Sequence, residues 1–137
     1  MSTITDITHV TVLVDDQQEA LDYYTEALGF EEMADMEMDD GGRWVTVTPA
    51  GESTTELALV EADTDEKRDL VGRQAADHVF CVLETDDCHG LFETLSGRGV
   101  EFTTEPEEVP WGIHATFLDC YGNRYNVVEP GEWDGEQ

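Results

Sequence analysis

Residues 7–14, Ile-Thr-His-Val-Thr-Val-Leu-Val, alternate and are rich in β-branched side chains, which predicts a strand. Asp16-Gln17-Gln18-Glu19 follows with the form of a capping box led by Asp. Ala20, Tyr24, Ala27 and Leu28 then recur at helical spacing, and Gly29 supplies a left-handed stop. Three more strands are expected at about 31–38, 43–49 and 55–61. Asp39-Asp40-Gly41-Gly42 and Pro49-Ala50-Gly51 are the turns between them. Residues 62–76 are polar and read as a linker. The pattern then starts again. A strand is expected at 78–84, then a helix at about 87–96 with Leu91, Phe92 and Leu95 inward. Strands at about 100–105, 113–119 and 124–129 complete it, with a turn at Asp119-Cys-Tyr-Gly122-Asn.

The second half repeats the first. His9-Val-Thr-Val-Leu-Val, Asp15-Asp16 and Leu28-Gly29-Phe30 answer to His78-Val-Phe-Cys-Val-Leu, Asp86-Asp87 and Gly99-Val100. The offset is 69 residues at the His pair, 70 at the Gly pair and 71 between Asp16 and Asp87, close to half of the 137-residue chain. The expected fold is α+β: two tandem βαβββ modules, at about 5–61 and 77–130, in one domain. One helix covers only one face of a four-stranded sheet. The second copy is the expected cover for the other, and two curved mixed sheets facing each other would form a cleft lined by alternate strand residues.

Composition narrows the partners. Hydrophobic residues make up 39% and aromatics 9%, enough for a folded core. Thirty-three Asp and Glu against six Lys and Arg leave a net charge of −27. Nucleic acid and anionic membranes carry the same sign and are not expected as partners. The acids are spread along the chain, which fits a solvated surface rather than an acidic tail. This usage resembles that of halophilic archaeal proteins, where high salt screens like charges. Cys81, Cys88 and Cys120 form no C-x-x-C pair, so a thiolate zinc site or redox motif is not expected. They read as buried free thiols in a reducing, cytoplasmic setting. No apolar run approaches a membrane span, and MSTITDITHV lacks a signal-peptide pattern.

The candidate chemistry is sparse. A lone His on a strand is usually structural, but His9 and His78 sit at matching positions of a repeat, and imidazole is a common metal ligand. Glu56 shares a strand face with Ala58 and Val60, opposite Leu57 and Leu59. His114 follows the Pro110-Trp111-Gly112 loop and is either a substrate contact or an exposed strand end. Trp44, Phe80, Trp111 and Tyr125 would line an aromatic pocket or fill the core. His89 is expected in solvent on the second helix. No phosphate loop, dinucleotide glycine motif or serine nucleophile motif is present.

Four stretches carry a family resemblance: His9-Val-Thr-Val-Leu-Val-Asp-Asp, Ala20-Leu-Asp-Tyr-Tyr-Thr-Glu-Ala-Leu-Gly-Phe30, Glu105-Pro-Glu-Glu-Val-Pro-Trp-Gly112, and Phe117-Leu-Asp-Cys-Tyr-Gly-Asn-Arg-Tyr-Asn-Val-Val-Glu-Pro130. Together they resemble the vicinal oxygen chelate superfamily, which includes glyoxalase I, bleomycin-resistance proteins, fosfomycin-resistance enzymes, methylmalonyl-CoA epimerases and ring-cleaving dioxygenases. The resemblance implies a divalent metal (Fe, Mn, Ni or Zn) held by His9, Glu56 and His78. The fourth ligand position, four residues after Gly122, holds Asn126 instead of a carboxylate. Glu129, three residues on, faces away by strand alternation. Two imidazoles and one carboxylate are chemically the set of a facial-triad site. Such a metal would take two neighbouring oxygens of a small substrate and stabilise an oxyanion, with Glu56 as base and Asn126 as weak ligand or substrate contact. Two readings stay open: a metal-dependent lyase, isomerase or dioxygenase, and a metal-free small-molecule-binding protein of the bleomycin-resistance type. The resemblance also implies a homodimer.

The charge excess makes a first prediction. Melting followed by circular dichroism should shift upward between about 0.1 M and about 3 M salt, because screening relieves self-repulsion. Equal melting points would remove the halophilic reading.

Overall fold

The computed structural model describes residues 2–51 and 53–131. The chain divides into two compact units at Val71/Gly72. Each is a βαβββ arrangement with one four-stranded mixed sheet.

In the first unit, β1 (His9–Val14) leads to α1 (Gln17–Asp22), then β2 (Glu31–Glu37), β3 (Arg43–Thr48) and β4 (Glu56–Glu61). The sheet order is β1-β4-β3-β2, with β1 and β4 parallel and the other pairs antiparallel. Asp16 caps α1 as expected: its carboxylate accepts from the Glu19 N–H at 2.9 Å. The helix does not run on regularly. Residues Tyr23–Ala27 widen into a π-helical turn, in which Leu28 N–H donates to the Tyr23 carbonyl. The Thr25 hydroxyl donates to the Leu21 carbonyl at 2.8 Å within it. This geometry leaves Tyr24 fully buried, edge-on to Phe30. Gly29, at φ 80°, ends the segment. Ala20, Leu21 and Tyr24 belong to a core with Val12, Val14, Val45, Val47, Leu57 and Leu59, the residues of one sheet face. Gln17 fastens helix to sheet by donating to the Arg43 and Leu59 carbonyls, both at 2.8 Å. At the β2 edge, Arg43 grips Asp35 through two 2.8 Å bonds, which hold that carboxyl below its ordinary pKa.

The expected linker contains a helix. α2 (Asp65–Leu70) is capped by Thr64, whose hydroxyl accepts from Lys67 N–H at 3.1 Å. Its polar sequence buries no residue, so hydrophobic periodicity gives no sign of it.

The second unit runs β5 (Cys81–Glu84), α3 (Cys88–Gly97), β6 (Phe102–Val109), β7 (Gly112–Leu118) and β8 (Arg124–Pro130), with sheet order β5-β8-β7-β6. β5 starts three residues later than expected, leaving His78 ahead of the strand. β6 extends to Val109, beyond the expected 105, with register shifts that absorb Pro106. The helix-side face holds an aromatic ladder: Phe92 against Phe102, Phe102 against Phe117, and Phe117 stacked on Tyr125 at 5.5 Å. Phe80 stands edge-on to Tyr125. The α3 N-terminus is capped twice, by Asp87 on Gly90 N–H and by Glu129 on Cys88 N–H, both at 2.9 Å. Burial, and then the Glu129 and Asp87 charges, push the Cys88 thiol up. Cys81 is half-buried and Cys120 is exposed, so the expectation of uniformly buried thiols fails at the Asp119–Asn123 turn. There the buried Asp119 side chain accepts from the Tyr121 and Asn123 N–H groups, which fixes the turn and leaves Cys120 outside. Gly112, at φ 146°, passes so close to β8 that a Cβ would lie 2.1 Å from the Glu129 carbonyl oxygen.

Among the described residues, no helix is long and apolar enough to cross a membrane. The ladder makes a stability prediction. Phe117→Ala should cost about 3–5 kcal/mol in urea unfolding, because it empties the centre of the ring stack. A cost below about 1 kcal/mol would show that Phe117 does not pack as described.

Candidate functional site

Strand alternation gives each sheet a second face, turned away from its helix. On the first unit the register places His9, Thr11 and Leu13 of β1 beside Glu56, Ala58 and Val60 of β4. Thr46 of β3 stands next to Ala58, and Ala34 and Met36 of β2 pair with Thr46 and Trp44. The parallel pairing makes His9 and Glu56 direct neighbours, although 47 residues separate them. His9 Nε2 lies 3.4 Å from Glu56 Oε1, and His9 Nδ1 lies 3.0 Å from the Thr8 hydroxyl. Trp44 meets the His9 ring edge-on, with centroids 5.4 Å apart. His9, Glu56 and Trp44 therefore form one cluster. Sequence reasoning did not single out Thr46. Its hydroxyl is fully buried and has no hydrogen-bond partner among the described residues. A buried hydroxyl in that state costs about 1–3 kcal/mol.

On the second unit the corresponding face carries Val82, Asn126, Thr116 and His114. The Asn126 amide nitrogen donates to the Ala115 carbonyl at 3.1 Å and to Thr116 Oγ1 at 3.2 Å, and lies 3.0 Å from His114 Nδ1. The carbonyl can only accept, which fixes which end of the amide is nitrogen. His114 Nδ1 is then an acceptor, and its Nε2–H points to Glu107 Oε1 at 3.3 Å. A chain Asn126–His114–Glu107 results, which places His114 firmly on this face.

Within the second unit the remaining expected residues take other places on the sheet or outside it. The register sets Val82, not His78, beside Asn126. His78 lies four residues ahead of Val82, exposed, with Nδ1 accepting from Val79 N–H at 2.6 Å. The chain runs seven residues from His9 to its helix cap Asp16 but nine from His78 to Asp87, so the two histidines are not equivalent in register. Phe80 and Tyr125 belong to the core ladder, with Tyr125 fully buried. Trp111 is exposed in the β6–β7 turn. Glu129 is occupied as the α3 cap.

The donors can be set against the implied metal. Two donors at about 2.0–2.2 Å from one ion stand about 3.4 Å apart in a tetrahedral site, so the His9–Glu56 pair has a suitable edge. Asn126 presents its nitrogen to protein acceptors, Val82 occupies the neighbouring strand position, and His78 is out of register. Among the described residues, no three His, Cys, Asp or Glu side chains gather to hold an ion. The arrangement instead offers aromatic surface, hydroxyls and an amide–imidazole chain.

The chain on the second unit can be checked. Long-range nitrogen–proton NMR should show His114 as the Nε2–H tautomer, with Asn126→Ala removing that preference and costing about 1–2 kcal/mol of stability. An Nδ1–H tautomer in the native protein would refute the described network.

Comparison with known proteins agrees with the fold. Residues 6–127 match the family model of the glyoxalase/bleomycin resistance protein/dioxygenase superfamily. An uncharacterised protein of Shewanella frigidimarina (strain NCIMB 400) is 34% identical over 124 residues, covering 90% of this chain and 92% of its own. The crystal structure of UcmS2 is 32% identical with a TM-score of 0.82, covering 93% of this chain and 99% of that one. TnmS3, an antibiotic-binding protein from Streptomyces sp. CB03234, is 32% identical with a TM-score of 0.79, covering 96% and 100%. Two βαβββ units, the extent of the family match and these relatives place the chain in the glyoxalase/bleomycin resistance protein/dioxygenase superfamily.

Proposed function

We propose that this chain is a metal-independent small-molecule-binding protein whose ligand is an aromatic, oxygenated compound. The observation that carries this reading is the state of Asn126. Where the resemblance expects a carboxylate ligand, an amide is committed through its nitrogen to His114, Ala115 and Thr116. Such a group orients a neighbouring imidazole, and its amide oxygen is a neutral and weaker ligand than the carboxylate it replaces. Trp44, His9 and the exposed Met36 on the first unit supply the polarisable surface that aromatic ligands favour. The similarity to an antibiotic-binding protein supports the same class of role. The spread acidic charge favours neutral or cationic ligands over anionic ones.

A second reading is favoured by one observation, the 3.4 Å approach of His9 to Glu56. It makes the chain a metal-dependent lyase, isomerase or dioxygenase, with Glu56 as ligand and base.

Calorimetric titration of the chelator-treated protein with Mn, Ni, Zn and Fe(II) separates the two. The first reading predicts no saturable one-to-one binding tighter than about 1 mM, a free energy of about −4 kcal/mol. Micromolar binding abolished by His9→Ala would overturn it in favour of the enzyme.

A further inference from the structure

The two units treat one matching place differently. β3 and β7 carry corresponding buried stretches, Val45-Thr46-Val47 and Ala115-Thr116-Phe117. Setting these together matches Thr46 with Thr116 and, through their cross-strand partners, Ala58 with Asn126. The last strands agree: Leu57-Ala58-Leu59-Val60-Glu61 lines up with Tyr125-Asn126-Val127-Val128-Glu129. In the second unit the Asn126 amide donates to Thr116 Oγ1. In the first unit Ala58 offers only a methyl group, and Thr46 Oγ1 has no partner among the described residues. A hydrogen-bond donor about the size of a carboxamide is missing there.

Small side chains surround Thr46. Ala34, Thr46, Ala58 and Thr11 form a row of small side chains straight across the sheet. His9 stands on one side of this row, because it pairs with Glu56, two residues before Ala58. Trp44 stands on the other, two residues before Thr46 and beside Met36. The contact between the two rings therefore crosses the row diagonally over Ala58. Thr46 and Ala58 are almost wholly buried, while Thr11 at the end of the row is exposed. Ala58, with a single methyl group, is the residue over which the two rings meet.

We propose that this row is a ligand subsite closed by the Trp44–His9 ring pair. It takes the edge of a flat aromatic compound that carries a phenolic O–H or carboxamide N–H. That donor bonds to Thr46 Oγ1, as Asn126 bonds to Thr116 in the other unit. The ligand ring replaces the His9–Trp44 contact with its own contact to Trp44. This subsite rests on the small-molecule-binding reading above and names the ligand group that the reading leaves open.

The test is an amide NMR titration of the full chain with 2-naphthol and, in parallel, naphthalene. The pair differs by one hydroxyl. We expect 2-naphthol to shift the amides of Thr46 and Ala58 and the Trp44 indole N–H, and to bind about tenfold more tightly than naphthalene. Thr46→Val keeps the side-chain shape and removes the unpartnered hydroxyl. It should abolish the preference while leaving the melting temperature unchanged or higher. Ala58→Asn restores the amide found in the second unit. It should prevent both compounds from shifting Thr46. Equal affinities in the native protein, shifts confined to other residues, or a preference that survives Thr46→Val would each overturn the subsite. Those results leave the metal titration unaffected, so loss of the subsite is distinct from loss of the binding reading.

Discussion

Each four-stranded sheet in this chain has one helix to cover it, and a sheet has two faces. The helix-side face is driven by burial of apolar area, worth about 25 cal/mol per Å². It takes Val12, Val14, Leu57 and Leu59 in one unit and Phe117, Tyr125 and Val127 in the other. Because successive strand residues alternate, filling that face dictates what the opposite face receives. Thr11, Glu56, Ala58 and Thr46 stand there in the first unit, and Asn126, Thr116 and His114 in the second. The candidate chemistry of the protein is thus the complement of its core pattern.

Parallel pairing of the first and last strands does the rest. It sets β1 against β4 and β5 against β8, so residues far apart in sequence become neighbours. In the first unit this joins an imidazole to a carboxylate. In the second, the pair that answers to Thr11–Ala58 is Val82–Asn126, and the imidazole arrives from the antiparallel side, on β7. One architecture yields two different polar faces because the side chains at matching register positions differ, and His78 stands two residues further from its helix cap than His9 does.

Much of the fold was legible in the sequence. The internal repeat, the alternation of strands, the Asp caps and the glycine stops each rest on a local rule, and the observed elements follow them closely. α2 was not legible, because a short helix without a buried face has no hydrophobic period. The π-helical turn at Tyr23–Ala27 was not legible either, since its side chains keep an ordinary helical spacing. The change of offset from 69 at the histidines to 71 at the caps was visible. It was the one signal that His9 and His78 would not fall at equivalent heights.

By itself the sequence determined which residues face the helices, because burial repeats every two positions along a strand and a one-residue slip would expose the whole apolar set. It also determined the family and its repeated unit. Only the tertiary structure decided the polar partners: His9 with Glu56 and Trp44, Asn126 with His114 and Thr116, and Thr46 with none among the described residues. Those pairings depend on strand register between segments tens of residues apart, and hydrogen bonds act only at contact distance. No local pattern encodes that distance.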